Sequence, residues 1–177
     1  MRHKTTKNIV LTAMLAASLT AGKLALSFIP NVEVVTLFIV LYAVVFGLNT
    51  AYSAALIFCI IEGFLYGFNY FIVLYFLYWP LLAVLAFLLS KKTQKALFFV
   101  LYAAGMTIFF GVLSVILDML FLARSLNPSF FAARYMSGLI FFVVHTVSNT
   151  VLFAAAFAPL RAVLNRLKKS YFVIGLV

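Results

Sequence analysis

Long apolar runs, each near the length of a bilayer crossing, alternate along this chain with short segments that carry its charge. A crossing takes about 20 apolar residues, within a range of roughly 17–25. Ile9–Ile29 is one such run. Val34–Leu89 is too long for one crossing, since a single helix of that length would span ~84 Å at 1.5 Å per residue. Turn chemistry at Gly47-Leu48-Asn49-Thr50 and at Gly67-Phe68-Asn69 divides it into three helices. Two of these are short, about Val34–Phe46 and Ala51–Tyr66. Ala96–Leu122 and roughly Ala132–Leu160 supply two more, joined by Arg124-Ser125-Leu126-Asn127-Pro128-Ser129. The pattern predicts an all-α, polytopic membrane protein with six transmembrane helices, forming one integral membrane domain over residues 1–177.

Charge gives this pattern a direction. Thirteen Lys and Arg stand against three acidic residues in a chain that is 67% hydrophobic. Ten of the basic residues fall in three clusters: Arg2, Lys4 and Lys7; Lys91, Lys92 and Lys95; and Arg161, Arg166, Lys168 and Lys169. Basic loops stay in the cytoplasm. With the first cluster inside, the middle cluster returns inside if Val34–Leu89 crosses an odd number of times, and the last if the remainder crosses an even number; three and two fit, which makes six. Both termini are then expected to be cytoplasmic, in a cell membrane of prokaryotic type. In a soluble protein, a net charge of +10 would suggest nucleic acid. Here the positive charge flanks apolar spans, so the expected partner is the anionic surface of the lipid bilayer, with no nucleic acid. The first apolar run exceeds the 7–15 residues of a signal-peptide core, which argues against a cleaved leader. Cys59, the one cysteine, cannot form an internal disulfide and reads as a small packed side chain.

No enzyme signature is present: no G-x-S-x-G, H-E-x-x-H, Walker A or Cys/His metal cluster. His145 and Ser148 lie one helical turn apart, but serine is common where membrane helices meet. The chain is therefore not expected to be an enzyme.

The acidic residues Glu33, Glu62 and Asp118 all fall in the outward half of this topology, as do Lys23, Arg124 and Arg134. Ionisable groups in spans are costly and face an interior or a cavity. Glu62 and Arg134 are candidate site residues. Lys23, Glu33 and Asp118 are possible ones, with Lys23 and Asp118 inclined to structural pairing. Arg124 reads as an ordinary loop charge. On the sixth helix Gly138, Phe141, His145, Asn149 and Leu152 share one face. A buried His and Asn need hydrogen bonds from neighbouring helices or from a ligand. On the fourth helix Tyr75 and Trp79 are four residues apart in an aromatic stripe, and the Trp79 indole N–H needs an acceptor. With Tyr66 and Asn69 this outer-half cluster is the expected small-molecule site. Its aromatics suggest a flat or apolar ligand body, and the outward cations favour a carboxylate at one end. The first helix carries Ala13, Ala17 and Ala21 at four-residue spacing, with Ala16 beside them. Such small faces let helices approach closely, either within the fold or on a partner.

In the order of these features the chain resembles the substrate-binding S components of energy-coupling factor (ECF) vitamin transporters. The resemblance spans nearly the whole chain. It is carried by Leu11-Thr12-Ala13-Met14-Leu15-Ala16-Ala17, by Ile29-Pro30-Asn31-Val32-Glu33-Val34-Val35-Thr36 followed by Val45-Phe46-Gly47, and by Asn149 with Pro159-Leu160. It departs in the third and fourth helices, at Glu62–Tyr70 and Tyr78-Trp79-Pro80, which leaves the vitamin unassigned. The resemblance implies high-affinity capture of a vitamin or cofactor precursor, followed by uptake through a transmembrane scaffold subunit and two ATPase subunits. It implies Ala13, Ala16, Ala17 and Ala21 as the docking face and no cofactor. Metal-transporting members carry an N-terminal Met-His motif. This chain begins Met1-Arg2-His3, so no metal is expected. A self-contained secondary transporter or channel would need a polar path through the inward half. A small membrane enzyme would need a paired nucleophile and base.

Overall fold

The computed structural model describes residues 2–173. Among them are seven α-helices and no strand: α1 (Arg2–Leu26), α2 (Val35–Phe46), α3 (Leu48–Tyr66), α4 (Tyr70–Lys92), α5 (Ala96–Asp118), α6 (Pro128–Ser137) and α7 (Leu139–Val173). A π-helical turn, Met119–Ala123, extends α5. Helices α1, α3, α4 and α7, and α5 with its π turn, are long and apolar enough to cross a membrane. The chain is an all-helical, multi-pass membrane protein.

Helix α2 is also apolar but has 12 residues. At 1.5 Å per residue it reaches ~18 Å, short of the ~30 Å hydrocarbon core. Nine of its residues are buried, which makes it the interior element that α1, α3, α4 and α7 surround. A helix that is apolar on all sides is stable only when surrounded in this way. It ends at Gly47, whose φ of 94° lies in the region that favours glycine, and the Gly47 N–H closes the last turn on the Tyr42 carbonyl. Helix α3 begins at the next residue, so the four-residue break expected at 47–50 is a one-residue hinge.

The expected sixth span, Ala132–Leu160, is replaced by two helices. Asn127 caps α6 by accepting the Ser129 N–H, and Pro128 occupies its first position. Gly138 ends α6, and α7 then runs on as a 35-residue helix that includes Arg161, Arg166, Lys168 and Lys169. Those basic residues, past the expected end of the span near Leu160, are good helix formers that extend the helix beyond the apolar layer. Leu122 lies in the π turn rather than in the α-helix expected over Ala96–Leu122.

Long-range hydrogen bonds gather the basic segments at one end of the bundle. The Lys7 ammonium donates to the Tyr171 carbonyl at 3.1 Å, and Lys168 to the Val45 carbonyl at 2.6 Å. The Arg161 guanidinium donates to the Gln94 carbonyl at 2.8 Å. The opposite end holds Glu33, Glu62 and Asp118. Between them, α3 and α4 pack together and bury Ala51, Ala54, Ala55, Ala83 and Ala86 in the core, and α5 meets α7 where Phe99 stacks on Phe157 at 4.6 Å. Small side chains allow the first approach and flat rings fill the second. Gly22 brings α1 against the start of α2: a Cβ there would lie 2.6 Å from the Val34 side chain. The alanines of α1 divide. Ala16 is buried in the core, whereas Ala13, Ala17 and Ala21 are exposed.

Candidate functional site

A cavity of about 470 Å³ opens at the acidic end. Helix α1 contributes Lys23 and Leu26 to its wall, and the following loop, residues 27–33, lines one side of it. Tyr66 ends α3, Phe71, Tyr75 and Trp79 come from α4, and Phe110 and His145 come from α5 and α7. A side pocket of about 220 Å³ shares Lys23, Tyr66, Phe71 and Tyr75 with it and adds Glu62, Asn69 and Ile72.

The α4 stripe builds the aromatic wall. Four-residue spacing puts Tyr75 and Trp79 on one face, with ring centroids 5.7 Å apart and planes at 71°. Phe58 of α3 supports both from behind, stacked on Tyr75 and edge-on to Trp79. Phe110 lies 6.2 Å from Trp79 and 5.4 Å from the His145 ring. Trp79 is buried, and its indole N–H finds no acceptor among the described residues. A buried N–H without a partner is costly, and Trp is usually bonded when buried.

Beside this wall Lys23 and Glu62 form an ion pair across α1 and α3. The Lys23 ammonium lies 4.5 Å from the Tyr66 ring centroid and 5.1 Å from that of Tyr75, and donates to the Tyr75 hydroxyl at 3.5 Å. Glu62 is fully buried, and its second oxygen, Oε1, has no hydrogen-bond partner among the described residues. Lys23 is thus held by a carboxylate and two ring faces.

A second polar cluster ties the loop beside the cavity to α7. Glu33 Oε1 accepts from Thr36 Oγ1 at 2.5 Å and from Asn149 Nδ2 at 2.8 Å, with His145 Nε2 at 3.4 Å. Its Oε2 accepts the Thr36 N–H at 2.9 Å, which caps α2. Burial alone would push the Glu33 carboxyl up. The hydrogen bond and attraction of the His145 imidazole, with the two bonds from Thr36, outweigh it and hold the group below the usual carboxylate range. The Ser148 hydroxyl donates to the Asn31 carbonyl at 3.0 Å and to the His145 carbonyl at 3.1 Å. It is bonded to backbone rather than to the imidazole, in the manner of a tether. Asn31 takes a left-handed φ of 61°, which Asn tolerates better than most residues and which turns the loop inward.

Of the residues singled out from sequence, Lys23, Glu33, Tyr66, Tyr75, Trp79 and His145 line the main cavity. Glu62 lies in the side pocket, as does Asn69, whose Oδ1 caps α4 by accepting the Phe71 N–H. Asn149 stands behind Glu33, off the cavity wall, with its Oδ1 unpartnered. The structure does not bring Arg134, Asp118 and Phe141 to this cavity. They line a separate pocket of about 230 Å³, where Arg134 Nε donates to Asp118 Oδ2 at 2.7 Å and the Tyr70 hydroxyl donates to Asp118 Oδ1 at 3.2 Å. Phe71, Phe110 and the backbone of the 27–32 loop are lining elements that sequence reasoning missed. Phe71 sits within the aromatic stripe of the fourth helix, but Phe110 is one of 21 phenylalanines and nothing local sets it apart. Among the described residues no group of three His, Cys, Asp or Glu is placed to hold a metal ion. Met1 and the side chain of His3 lie outside the described residues.

No protein-family model matches the chain, and no curated protein or solved structure matches it.

Proposed function

We propose that this protein is the substrate-binding S component of an ECF-type transporter in a prokaryotic cytoplasmic membrane, capturing a vitamin or cofactor precursor from outside. The observation that carries the reading is the cavity at the acidic end, with aromatic walls, an ion pair and a buried N–H without an acceptor among the described residues. Ligand sites are concave, mostly apolar and provided with a few placed polar groups. The basic end, opposite the cavity, marks the cytoplasmic face by the distribution of Lys and Arg. On this reading the chain crosses six times, with α2 as a short, interior span and both termini inside.

The loop of residues 27–33 forms part of the cavity wall, and the Glu33 bonds to His145 and Asn149 fix it to α7. The exposed Ala13, Ala17 and Ala21 offer a smooth face to a transmembrane scaffold, and energy comes from its two ATPase subunits. The test is uptake of the co-purifying small molecule into vesicles with and without those subunits. ATP-dependent uptake that Ala17→Trp abolishes while ligand affinity is unchanged is expected. Uptake without ATPases would instead make the protein a self-contained secondary transporter, and turnover of the molecule would make it an enzyme.

A further inference from the structure

The basic end of the bundle has a groove of its own, of about 540 Å³. It lies at the end of α2, where Tyr42 and Phe46 line it. Helices α1 and α7 both pack on α2 and hardly on each other. They flank the groove, α1 with Leu11, Met14 and Leu15 and α7 with Leu164 and Leu167. Met14 and Leu167 are exposed. The polar groups within it are already engaged, since the Ser18 and Tyr42 hydroxyls bond each other at 2.6 Å. From Leu11 to Ser18 the α1 wall runs ~10 Å along the helix axis. These are walls for hydrocarbon.

The same groove carries positive charge. Lys168 lines it, and Lys7 donates at 3.1 Å to the carbonyl of Tyr171, which also lines it. Lys168 donates to the Val45 carbonyl at 2.6 Å. A carbonyl positions an ammonium without neutralising it, and each ammonium has three N–H donors. The chain has three acidic side chains, and all are engaged at the opposite end, with Lys23, Arg134 and His145. No side-chain carboxylate of the protein is left for Lys7 or Lys168. An apolar groove edged by cations that lack a counter-charge fits a molecule with a hydrocarbon chain and an anionic head. A free phosphate leaves the apolar walls uncovered, and a zwitterionic lipid brings a cation of its own. We propose that this groove binds one anionic phospholipid from the leaflet at the basic end, with an acyl chain between α1 and α7 and the phosphate on Lys7 and Lys168. The site is separate from the cavity at the acidic end and does not depend on what that cavity holds.

Native mass spectrometry of the full-length protein in detergent tests this, with phosphatidylglycerol and phosphatidylcholine of identical acyl chains as the probes. One retained phosphatidylglycerol is expected, with an apparent affinity about thirtyfold above that of phosphatidylcholine, from two cations beside one headgroup. Lys7→Gln with Lys168→Gln should erase the preference. Arg166→Gln with Lys169→Gln removes the same charge from residues that do not line the groove, and should keep it. Leu167→Trp, which fills the groove, should weaken both lipids. Equal retention of the two lipids by the wild type would overturn the proposal, and that ranking decides even if a variant does not fold. Loss of the preference in the Arg166 and Lys169 variant would reduce the effect to diffuse surface charge. Unchanged retention in Leu167→Trp would put the lipid outside the groove. Binding of glycerol phosphate as tight as that of phosphatidylglycerol would make this a free-phosphate site, and retention of no lipid would leave the groove to a partner's helix. Each of these four results contradicts the proposal.

Discussion

The molecule holds two ion pairs of the same chemistry in different settings. Lys23–Glu62 joins α1 to α3, with Glu62 fully buried and Lys23 covered by two tyrosine rings. Arg134–Asp118 joins α6 to α5 at the edge of the bundle, with the Arg134 side chain 49% exposed. The first borders the aromatic cavity and leaves one buried carboxylate oxygen without a partner among the described residues. The second binds its carboxylate from both sides, through Arg134 and Tyr70. Charge identity alone therefore does not mark a site. Both carboxylates are buried, and the pairs differ in their cations, Lys23 held between two tyrosine rings and Arg134 half in the open.

Substitutions sharpen this contrast in order of expected effect. Trp79→Ala should abolish ligand binding, and deleting so large a buried ring typically costs about 3–5 kcal/mol of stability as well. Saturating ligand titrated into the variant separates the two effects. If the protein unfolds and ligand does not rescue it, Trp79 is only packing. Lys23→Met should come next, because it strands a buried carboxylate, a change that costs about 3–5 kcal/mol when uncompensated. Thermal melting in detergent should show the loss, and the double variant Lys23→Met with Glu62→Leu should recover most of it. Failure to recover would mean that the two residues do not act as a pair.

Glu33→Gln should have a middling effect. It keeps the shape of the loop clasp but weakens the charge-assisted bonds from Asn149 and Thr36. Ligand exchange should quicken by stopped-flow fluorescence while the fold remains intact, and unchanged rates would remove the clasp from the account. The wild-type clasp also carries a pH signature. The Glu33 carboxyl is held below the usual range, so its contribution is complete above the ordinary Glu value of about 4.3 and fades as the pH falls through the lowered one. Arg134→Gln should matter least to the ligand, since its pair with the buried Asp118 lines a different pocket and any cost falls on stability. Its ligand affinity should match the wild type by titration. A large loss would move the site to the second pocket.

Much of the architecture was legible along the chain. The apolar runs and basic clusters announced a multi-pass helical bundle, because span length and loop charge are local properties. Tyr75 and Trp79 could be placed on one face by helical spacing, as could His145 and Asn149. The helix ends were less legible. Gly47 and Gly138 interrupt apolar stretches at single residues, and α7 continues through basic residues that suit either a helix or a tail. Pairing was least legible of all. Lys23 and Glu62 are 39 residues apart, and Glu33 and His145 are 112 apart. Only the packing of α1, α3 and α7 decides that Lys23 meets Glu62 rather than a ligand. Arg134 was placed in a span and is found on the short helix before it.

The central claim is that the cavity beside Lys23 and Glu62 holds a captured small molecule. Native mass spectrometry of the protein released from its own membranes tests it most directly, with wild type, Trp79→Ala and Arg134→Gln measured side by side. The account predicts one small organic molecule bound at unit stoichiometry in the wild type and in Arg134→Gln, and absent from Trp79→Ala. No bound molecule in any of the three, or equal retention by Trp79→Ala, would contradict it.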